Sequence, residues 1–312
     1  MSEIIKKATR ESFGEALVEI AKTNPNVVVL DSDLAAATKT QIFKNAFPDR
    51  FFDCGISECN MIGVGAGLST IGKIPFVASF AMFSAGRAFE QIRNSVAYPN
   101  LNVKIAGSHA GISVGEDGAT HQCCEDLALM RSIPNMTILN PCDHYEMQAA
   151  VKAAAELKGP VYIRLGRLAI NSINNNDDYK FEIGKGIELK SGNDIALIAT
   201  GLPIGATLSA AKLLEKDGIS ARVINIHTIK PIDKEIIIKA AKETKYIFTI
   251  EEHNIIGGLG EAVCSVLCEN IPTHVKRIGI NDVFGQSGTA EELLKHYKLD
   301  DKGIYQKVIE TL

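Results

Sequence analysis

Continuous apolar runs of strand length alternate with helical patterns along this chain, and this alternation is the feature that most limits its fold. An early example is VVVLDSD at 27–33, and the pattern returns later with DIALIATG at 194–201. Unbroken runs of this kind are typical of parallel strands that helices cover on both faces. We therefore predict an α/β fold with two domains, each with a mostly parallel sheet flanked by helices.

An Asn- and Asp-rich stretch separates the two halves of the chain. It lies within LAINSINNNDDYKFEIGKG at 168–186, and its composition indicates a linker. We place the first domain at 1–173, the linker at 174–180 and the second, smaller domain at 181–312. A hairpin-like segment, FEIGKGIELKSG, is expected to open the second domain.

Composition is typical of a soluble globular protein and argues against several other classes. The 312 residues are 46% hydrophobic and 22% charged, with a net charge of −4. This charge gives no reason to expect nucleic acid or an anionic membrane as a partner, and no apolar run has the length needed to cross a bilayer. Seven cysteines form neither a CxxC pair nor a zinc-ligand cluster, and their odd number indicates reduced thiols and a cytoplasmic location.

The stretch at 51–89 sets one acid among glycines and then presents aromatic side chains. Glu58 follows a short β-like segment and precedes the helical run NMIGVGAGLSTIG, and IPFVASFAMF then predicts a buried strand that leads to Phe80 and Phe83. A carboxyl in an apolar setting can donate a proton in a catalytic site, whereas an acid at a helix N-terminus can simply stabilise the helix dipole. The residues alone leave both interpretations of Glu58 open.

This stretch resembles the pyrimidine-binding domain of thiamine diphosphate enzymes, and of transketolases in particular. The resemblance implies that Glu58 hydrogen-bonds the aminopyrimidine of the cofactor and that Phe83 stacks on it, with Phe80 close by. It also matches Asp33, at the end of VVVLDSD, to a residue that faces the cofactor. Without the resemblance, Asp33 could be a turn residue or a helix-capping acid.

The loop SHAGISVGEDGATHQ at 108–122 carries a second resemblance. A polar, Gly-rich loop of this length inside a compact domain favours a functional role over a mere connection. It resembles the transketolase loop that binds substrate, which implies substrate contacts for His109, Asp117 and His121. The two histidines would then bind hydroxyls or move protons as catalytic residues. Taken singly, the three residues could be a strand end, a turn residue and a helix N-terminal residue.

Two arginines match transketolase positions that face a sugar phosphate. They are Arg10 in ATRESF and Arg167 in VYIRLGR, while Arg164 is a less specific match beside the second. Without the resemblance, Arg10 is interpreted as a solvated helix residue and Arg167 as a surface residue at a strand end.

The chain contains no Gly-Asp-Gly of the kind that, with a downstream Asn, holds magnesium and diphosphate in these enzymes. EDG at 116–118 has Glu116 in place of the first Gly and lies in the position of the substrate loop. We therefore expect thiamine diphosphate to be shared with a partner subunit that carries the diphosphate-binding domain and binds most of the Mg²⁺ or Ca²⁺. EEHNIIGGLGEAV and FGQSGTAEELLKHYKLD resemble the transketolase C-terminal domain, which implies a role in assembly. Because transketolase-like sites form between domains of neighbouring subunits, the resemblance also implies a two-plus-two arrangement of subunits.

Together these resemblances imply the C-terminal subunit of a split transketolase. It would transfer a two-carbon glycolaldehyde unit from a ketose or ketose phosphate to an aldose or aldose phosphate, in the pentose phosphate pathway. Deoxyxylulose-phosphate synthases and the β subunits of 2-oxo acid dehydrogenases share the fold and the acid, but SHAGISVGEDGATHQ and ATR favour transketolase. A non-catalytic regulatory paralogue is an alternative, although a scaffold would not need to keep the predicted site residues together.

Overall fold

The computed structural model describes residues 5–174 and 179–312. Most of the predicted linker and domain boundary falls on residues 175–178, which lie outside the described residues. The limits of the two domains therefore remain predictions.

Within these ranges the chain forms fourteen β-strands and twelve α-helices. The strands are β1 Lys6–Ala8, β2 Val27–Asp31, β3 Phe51–Asp53, β4 Ile74–Phe80, β5 Lys104–Ser108, β6 Thr137–Leu139, β7 Val161–Arg164, β8 Ala169–Asn171, β9 Ile187–Lys190, β10 Ile195–Ala199, β11 Ala221–Asn225, β12 Thr228–Lys230, β13 Tyr246–Asn254 and β14 Val275–Ile280. The helices are α1 Thr9–Thr23, α2 Ala35–Thr38, α3 Gln41–Ala46, α4 Glu58–Thr70, α5 Phe89–Gln91, α6 Asp126–Arg131, α7 His144–Glu156, α8 Ile204–Lys216, α9 Lys234–Glu243, α10 Leu259–Asn270, α11 Ala290–His296 and α12 Asp301–Ile309. Two π-helical stretches, Met82–Arg87 and Ile92–Ala97, flank α5.

The larger sheet has seven strands in the order β12–β6–β7–β5–β4–β2–β3. Its strand pairs are parallel except for β12, which pairs antiparallel with β6. The strand β2 shows why these strands have unbroken apolar sequences. All five residues of VVVLD are buried, because a parallel strand between two helical layers has no solvent-facing side. The predicted mostly parallel α/β architecture is confirmed.

A second sheet has five strands in the order β14–β13–β10–β11–β9. It is parallel except for β9, an edge strand that pairs antiparallel with β11. The hairpin predicted for 181–192 is wrong, because residues 181–186 form no strand and β9 takes its partner from much later in the chain. The structure also differs from the sequence prediction in β12, which comes from the second half of the chain but completes the larger sheet.

Small residues on α4 give this helix two different faces. A Cβ at Gly65 would lie 2.8 Å from Val77 Cγ1, so the glycine permits close packing of the helix on β4. Gly63, Val64 and Gly67 are exposed, and a Cβ on either glycine would meet no atom of the described chain within 4 Å. The helix therefore keeps an open face of small and apolar residues.

A buried carboxyl on α7 links the two halves of the chain. Glu146 Oε1 accepts a hydrogen bond from Asn225 Nδ2 of β11 at 2.8 Å and another from the hydroxyl of Tyr179, while its Oε2 accepts from the backbone N–H of Cys142 at 2.6 Å. Burial raises the pKa of Glu146 to about 7. With β12 in the larger sheet, these contacts join the halves through hydrogen bonds as well as packing. No helix of the described ranges is both long and apolar enough to cross a bilayer.

Candidate active site

Glu58 lies at the N-terminus of α4 with its carboxyl almost fully buried. The residue is 3% exposed, and its Oε2 has no hydrogen-bond partner among the described residues. Arg87 Nη1 forms an ion pair with Oε2 at 3.7 Å, a separation that is beyond hydrogen-bond distance. A buried polar atom without a hydrogen-bond partner destabilises the fold. This oxygen is therefore a candidate to form a hydrogen bond with a ligand.

Aromatic rings gather where β4 ends and the π-helical stretch 82–87 begins. Phe80 and Phe83 stack with centroids 5.8 Å apart, and Phe80 also stacks on His109 at 4.0 Å. His121 packs edge-on against Phe83 at 5.4 Å. Four of the predicted site residues, from two separate stretches of the chain, thus form one aromatic cluster.

The hydrogen bonds of His109 define its tautomer. Its Nε2 lies 3.2 Å from Arg10 Nη1, and its Nδ1 lies 2.8 Å from Ser108 Oγ. Since a guanidinium only donates, Nε2 must accept, and the ring proton is therefore on Nδ1 and donated to the serine hydroxyl. Burial lowers the pKa of His109 to about 3, and the charges of Arg10 and Arg167 act in the same direction. The imidazole is neutral at physiological pH.

Arg10 and Arg167 bring positive charge to the edge of this cluster. Arg10 Nη1 also donates to the carbonyl of Ala37 at 2.8 Å, and its Nε is buried without a hydrogen-bond partner in the described chain. Arg167 Nη1 donates to the carbonyl of Val114 and to Glu116 Oε2, the second at 3.1 Å. Burial lowers the pKa of Arg10, and the charge of Arg167 adds to this effect. Two guanidinium groups close enough to affect each other favour an anion between them.

The two predicted aspartates lie apart from these contacts. Asp33 is exposed just after β2, with a backbone φ of 60°, and its N–H donates to Asp53 Oδ1 at 3.1 Å. Asp117 is exposed on the 108–122 loop. Among the described residues, neither carboxylate forms a hydrogen bond or ion pair with another predicted site residue. The acid that the fold buries at the end of β2 is Asp31, which accepts hydrogen bonds from Thr38 and Thr40.

Arg164 is occupied by a buried ion pair, which corrects its proposed match to a phosphate-binding residue. Its Nε donates to Asp126 Oδ2 at 2.8 Å and its Nη2 to Oδ1 at 3.0 Å, in bidentate geometry. Burial alone would lower the pKa of Arg164, but the charge and hydrogen bonds of Asp126, together with the charge of Glu252, raise it. Arg164 Nη2 also donates to the carbonyl of Glu252 at 2.9 Å, so the pair connects β7 to β13.

Replacing Arg164 by methionine should lower the free energy of unfolding by about 3–5 kcal/mol, because the substitution leaves Asp126 buried and uncompensated. Urea unfolding followed by circular dichroism measures the change. Arg93→Met is the matched control, since Arg93 is exposed and its replacement should cost no more than about 0.5 kcal/mol. Equal losses in the two variants would contradict a stabilising ion pair.

Three residues with direct roles in this geometry were not predicted from the sequence. Ser108 sits beside His109 in GSHAG, and its position next to a predicted site histidine was the available signal. Arg87 lies four residues after Phe83 and was masked by the helical pattern around it. Glu252, whose Oε1 accepts from the backbone N–H of Ser113 at 2.6 Å, carried only the weak signal of a charged residue in a buried strand.

Comparison with known proteins identifies the family of the chain. The model of the transketolase pyrimidine-binding domain matches residues 5–172, and the model of the transketolase C-terminal domain matches 184–304. A putative transketolase C-terminal section from Methanocaldococcus jannaschii is 51% identical over 99% of this chain and 97% of its own length. A 6-deoxy-6-sulfo-D-fructose transketolase subunit from a Clostridium species is 40% identical over 97% of this chain and 94% of its own length.

A solved structure described as a split-gene transketolase, an inactive β4 tetramer, superposes with a TM-score of 0.91 at 51% identity. The match covers 97% of this chain and 98% of that one. The chain therefore belongs to the transketolase family and contains its pyrimidine-binding and C-terminal domains, in the arrangement of a split-gene transketolase chain.

Proposed function

We propose that this chain is the C-terminal subunit of a thiamine diphosphate-dependent transketolase that transfers a glycolaldehyde unit from a ketose or its phosphate to an aldose or its phosphate. The observation that carries the proposal is the buried Glu58 Oε2 without a hydrogen-bond partner, in a fold whose aromatic rings and histidines gather at the end of the neighbouring strand. A regulatory scaffold would gain nothing from a buried carboxylate oxygen that accepts no hydrogen bond.

The residues present fit the pyrimidine end of the cofactor. Glu58 would hydrogen-bond the aminopyrimidine, Phe83 would stack on its ring with Phe80 close by, and Asp33 would face it from the end of β2. When bound, thiamine diphosphate supplies the chemistry that breaks and forms the carbon–carbon bond. The part of this chain is to hold the ring and to place a proton on it or take one from it through Glu58.

The histidines would act on the sugar. His109 presents a neutral imidazole whose Nδ1–H is held by Ser108, so that Nε2 is the acceptor on the side of Arg10. His121, half-buried against Phe83, would contact a second hydroxyl or move a proton, and Asp117 would bind substrate from the exposed part of its loop. Arg10 and Arg167 would bind the terminal phosphate.

Replacing Arg167 by alanine should raise the KM of phosphorylated sugars by roughly 10- to 150-fold, since a charge-assisted contact contributes about 1.5–3 kcal/mol. Unphosphorylated donors should be affected much less. Steady-state kinetics with a matched pair of phosphorylated and unphosphorylated ketoses measure the change in KM for each type of substrate.

Glu116→Gln is the control for this prediction, because it removes the carboxylate that now pairs with Arg167 but keeps the arginine. We expect no increase in the KM of phosphorylated sugars in this variant. Equal losses on both substrate types after Arg167→Ala would show that the arginine does not bind phosphate.

The proposed assembly is two copies of this chain with two copies of a partner that carries the diphosphate-binding domain and the Mg²⁺ or Ca²⁺ site. Support comes from the open face of α4 at Gly63, Val64 and Gly67, and from Ile56, which is 78% exposed just before that helix. Exposed apolar residues beside a buried catalytic carboxyl favour a protein interface there. We place the enzyme in cytoplasmic carbohydrate metabolism, in the pentose phosphate pathway.

A transfer assay on the assembled protein tests the proposal. The chain and its partner are incubated with thiamine diphosphate, Mg²⁺, an aldose phosphate acceptor and, in turn, a ketose phosphate, a 6-sulfo ketose or pyruvate. The sulfo ketose is included because the clostridial relative is named for such a sugar. An acceptor lengthened by two carbons with a ketose donor supports the proposal, whereas a product formed only with pyruvate would contradict it and favour a deoxyxylulose-phosphate synthase or a 2-oxo acid dehydrogenase.

A further inference from the structure

We infer that the second half of the chain contributes a positioning residue to the active site: Glu252 of β13 holds the backbone of the 108–122 loop in the conformation that presents its histidines. The inference rests on the proposed function, because it concerns how that loop meets a substrate. It gives the C-terminal domain a part in the reaction in addition to assembly.

The carboxylate of Glu252 is in direct contact with the loop backbone. Glu252 is 2% exposed, and its Oε1 accepts a hydrogen bond from the N–H of Ser113 at 2.6 Å. A Cβ at Gly111 would lie 2.4 Å from the same oxygen, and the φ of Gly111 is +81°. Only glycine combines that backbone angle with so close an approach, so the loop is shaped to pack against this carboxylate.

The strand that carries Glu252 is itself fixed to the first domain. The carbonyl of Glu252 accepts from Arg164 Nη2 at 2.9 Å, and the N–H of Asn254 donates to the carbonyl of Cys124 at 2.7 Å. The side chain of Glu252 is therefore held from a rigid element between two interdomain hydrogen bonds. A carboxylate held in this way can fix the position of the loop backbone that it contacts.

A second contact from the C-terminal half holds the far end of the loop. Gln122 Nε2 donates to the carbonyls of Ile112 and Gly115, both at 3.2 Å, and to the carbonyl of Gln286 at 3.0 Å. A Cβ at Gly118 would lie 2.6 Å from Ser287 Oγ. The loop is thus braced by Glu252 near its start and by residues 286–287 near its end.

The brace matters because the loop begins in an uncommon backbone conformation. His109 has a φ of 56°, in the left-handed region that residues other than glycine adopt only when their surroundings enforce it. Neighbouring hydrogen bonds run from Ala110 N to Leu165 O at 3.2 Å and from Gly111 N to Cys123 O at 2.8 Å. Glu252 adds a side-chain acceptor to this set, at the short distance of 2.6 Å from the N–H of Ser113.

Hydrogen–deuterium exchange of the chain alone, together with kinetics of the assembled enzyme, tests the inference. In Glu252→Ala, the amide of Ser113 and its loop neighbours should exchange at least tenfold faster. The KM of the ketose donor should rise by about tenfold or more, because a small displacement of binding groups is costly. The Kd of thiamine diphosphate should stay within about twofold, since Glu58 and Phe83 lie outside the loop.

Two further variants separate positioning from general stability. Glu252→Gln keeps an acceptor at the same reach and should restore most of the protection and of the KM. Glu251→Ala removes the neighbouring buried carboxyl of the same strand, which accepts from the N–H groups of Leu259 and Gly260 at the start of α10. It should lower stability without changing exchange at Ser113.

Unchanged exchange at Ser113 in Glu252→Ala would overturn the inference, and so would faster exchange with an unchanged donor KM. If Glu252→Ala does not fold, Glu252→Asp, which withdraws the carboxylate by one methylene, is measured in the same two ways. Absence of transfer activity in the unsubstituted assembled protein would instead overturn the proposed function. The exchange measurement on the chain alone would still decide whether Glu252 braces the loop.

Discussion

Replacing Glu58 by glutamine should lower kcat of the assembled enzyme by about 10²- to 10⁴-fold, the usual contribution of a positioned proton donor or acceptor. The amide has nearly the same shape as the carboxyl and can still form hydrogen bonds, but it cannot take up or release a proton at neutral pH. Because Glu58 Oε2 has no hydrogen-bond partner within the described chain, the exchange breaks no hydrogen bond of that oxygen and loses only its 3.7 Å ion pair with the exposed Arg87, a contact of small expected value. Stability should therefore be kept while turnover is lost.

Thermal unfolding and single-turnover kinetics of this variant distinguish the two effects. Glu156→Gln, the same chemical change at an exposed position near the end of α7, serves as the control and should keep the full rate. A Glu58→Gln enzyme that turns over at nearly the rate of the unsubstituted protein would rule out the proposed role of this carboxyl.

The purified chain on its own should show no transfer activity above background and should bind thiamine diphosphate weakly. The residues proposed for the pyrimidine ring contact only one end of the cofactor, and a diphosphate without a metal ion is costly to remove from water. Activity should appear as a partner with a diphosphate-binding domain is added, and it should level off at one partner per chain.

Titration at a fixed concentration of this chain, with cofactor, Mg²⁺ and a ketose phosphate present, measures this dependence. Light scattering at the end point gives the mass of the complex and tests the two-plus-two arrangement. Val64→Asp, on the open face of α4, should move the titration midpoint to higher partner concentration, whereas Ser265→Asp, in α10, should not. Full activity before any partner is added would contradict a divided active site.

Most of the fold followed from local patterns. Runs such as VVVLD at 27–31 predicted buried parallel strands. A strand that is buried on both faces has no solvent-facing positions for polar residues, and the resulting unbroken apolar run is visible in a short stretch of sequence. The pairings of β9 and β12 did not follow, since a strand at a sheet edge is stabilised by a partner distant in sequence. FEIGKGIELKSG therefore gave a false hairpin signal, and no local feature marked Thr228–Lys230 as part of the larger sheet.

The candidate site residues remain predictions, but the structure brings Phe80, Phe83, His109 and His121 into one aromatic cluster. Glu58, Phe83 and His109 came forward through the resemblance of their motifs to a known family, since the residues alone left each of them a structural interpretation. The contact of Glu252 could not be predicted, because its partner is the backbone N–H of Ser113. Every residue except proline has such a donor, so the sequence does not show which one a carboxylate binds. Arg164 was matched to a phosphate-binding position because nothing in the sequence at 161–167 shows that it forms an ion pair with Asp126.

The position of β12 at the end of the larger sheet has a consequence for how the protein is made. Until Thr228–Lys230 has been synthesised, β6 is an open edge strand with unpaired backbone groups. A ribosome adds roughly 5–20 residues per second, so the stretch from 165 to 230 takes on the order of several seconds to appear. During that interval the nascent first sheet exposes a strand edge that a neighbouring nascent chain could pair with, and crowding of ribosomes on the message would favour this error.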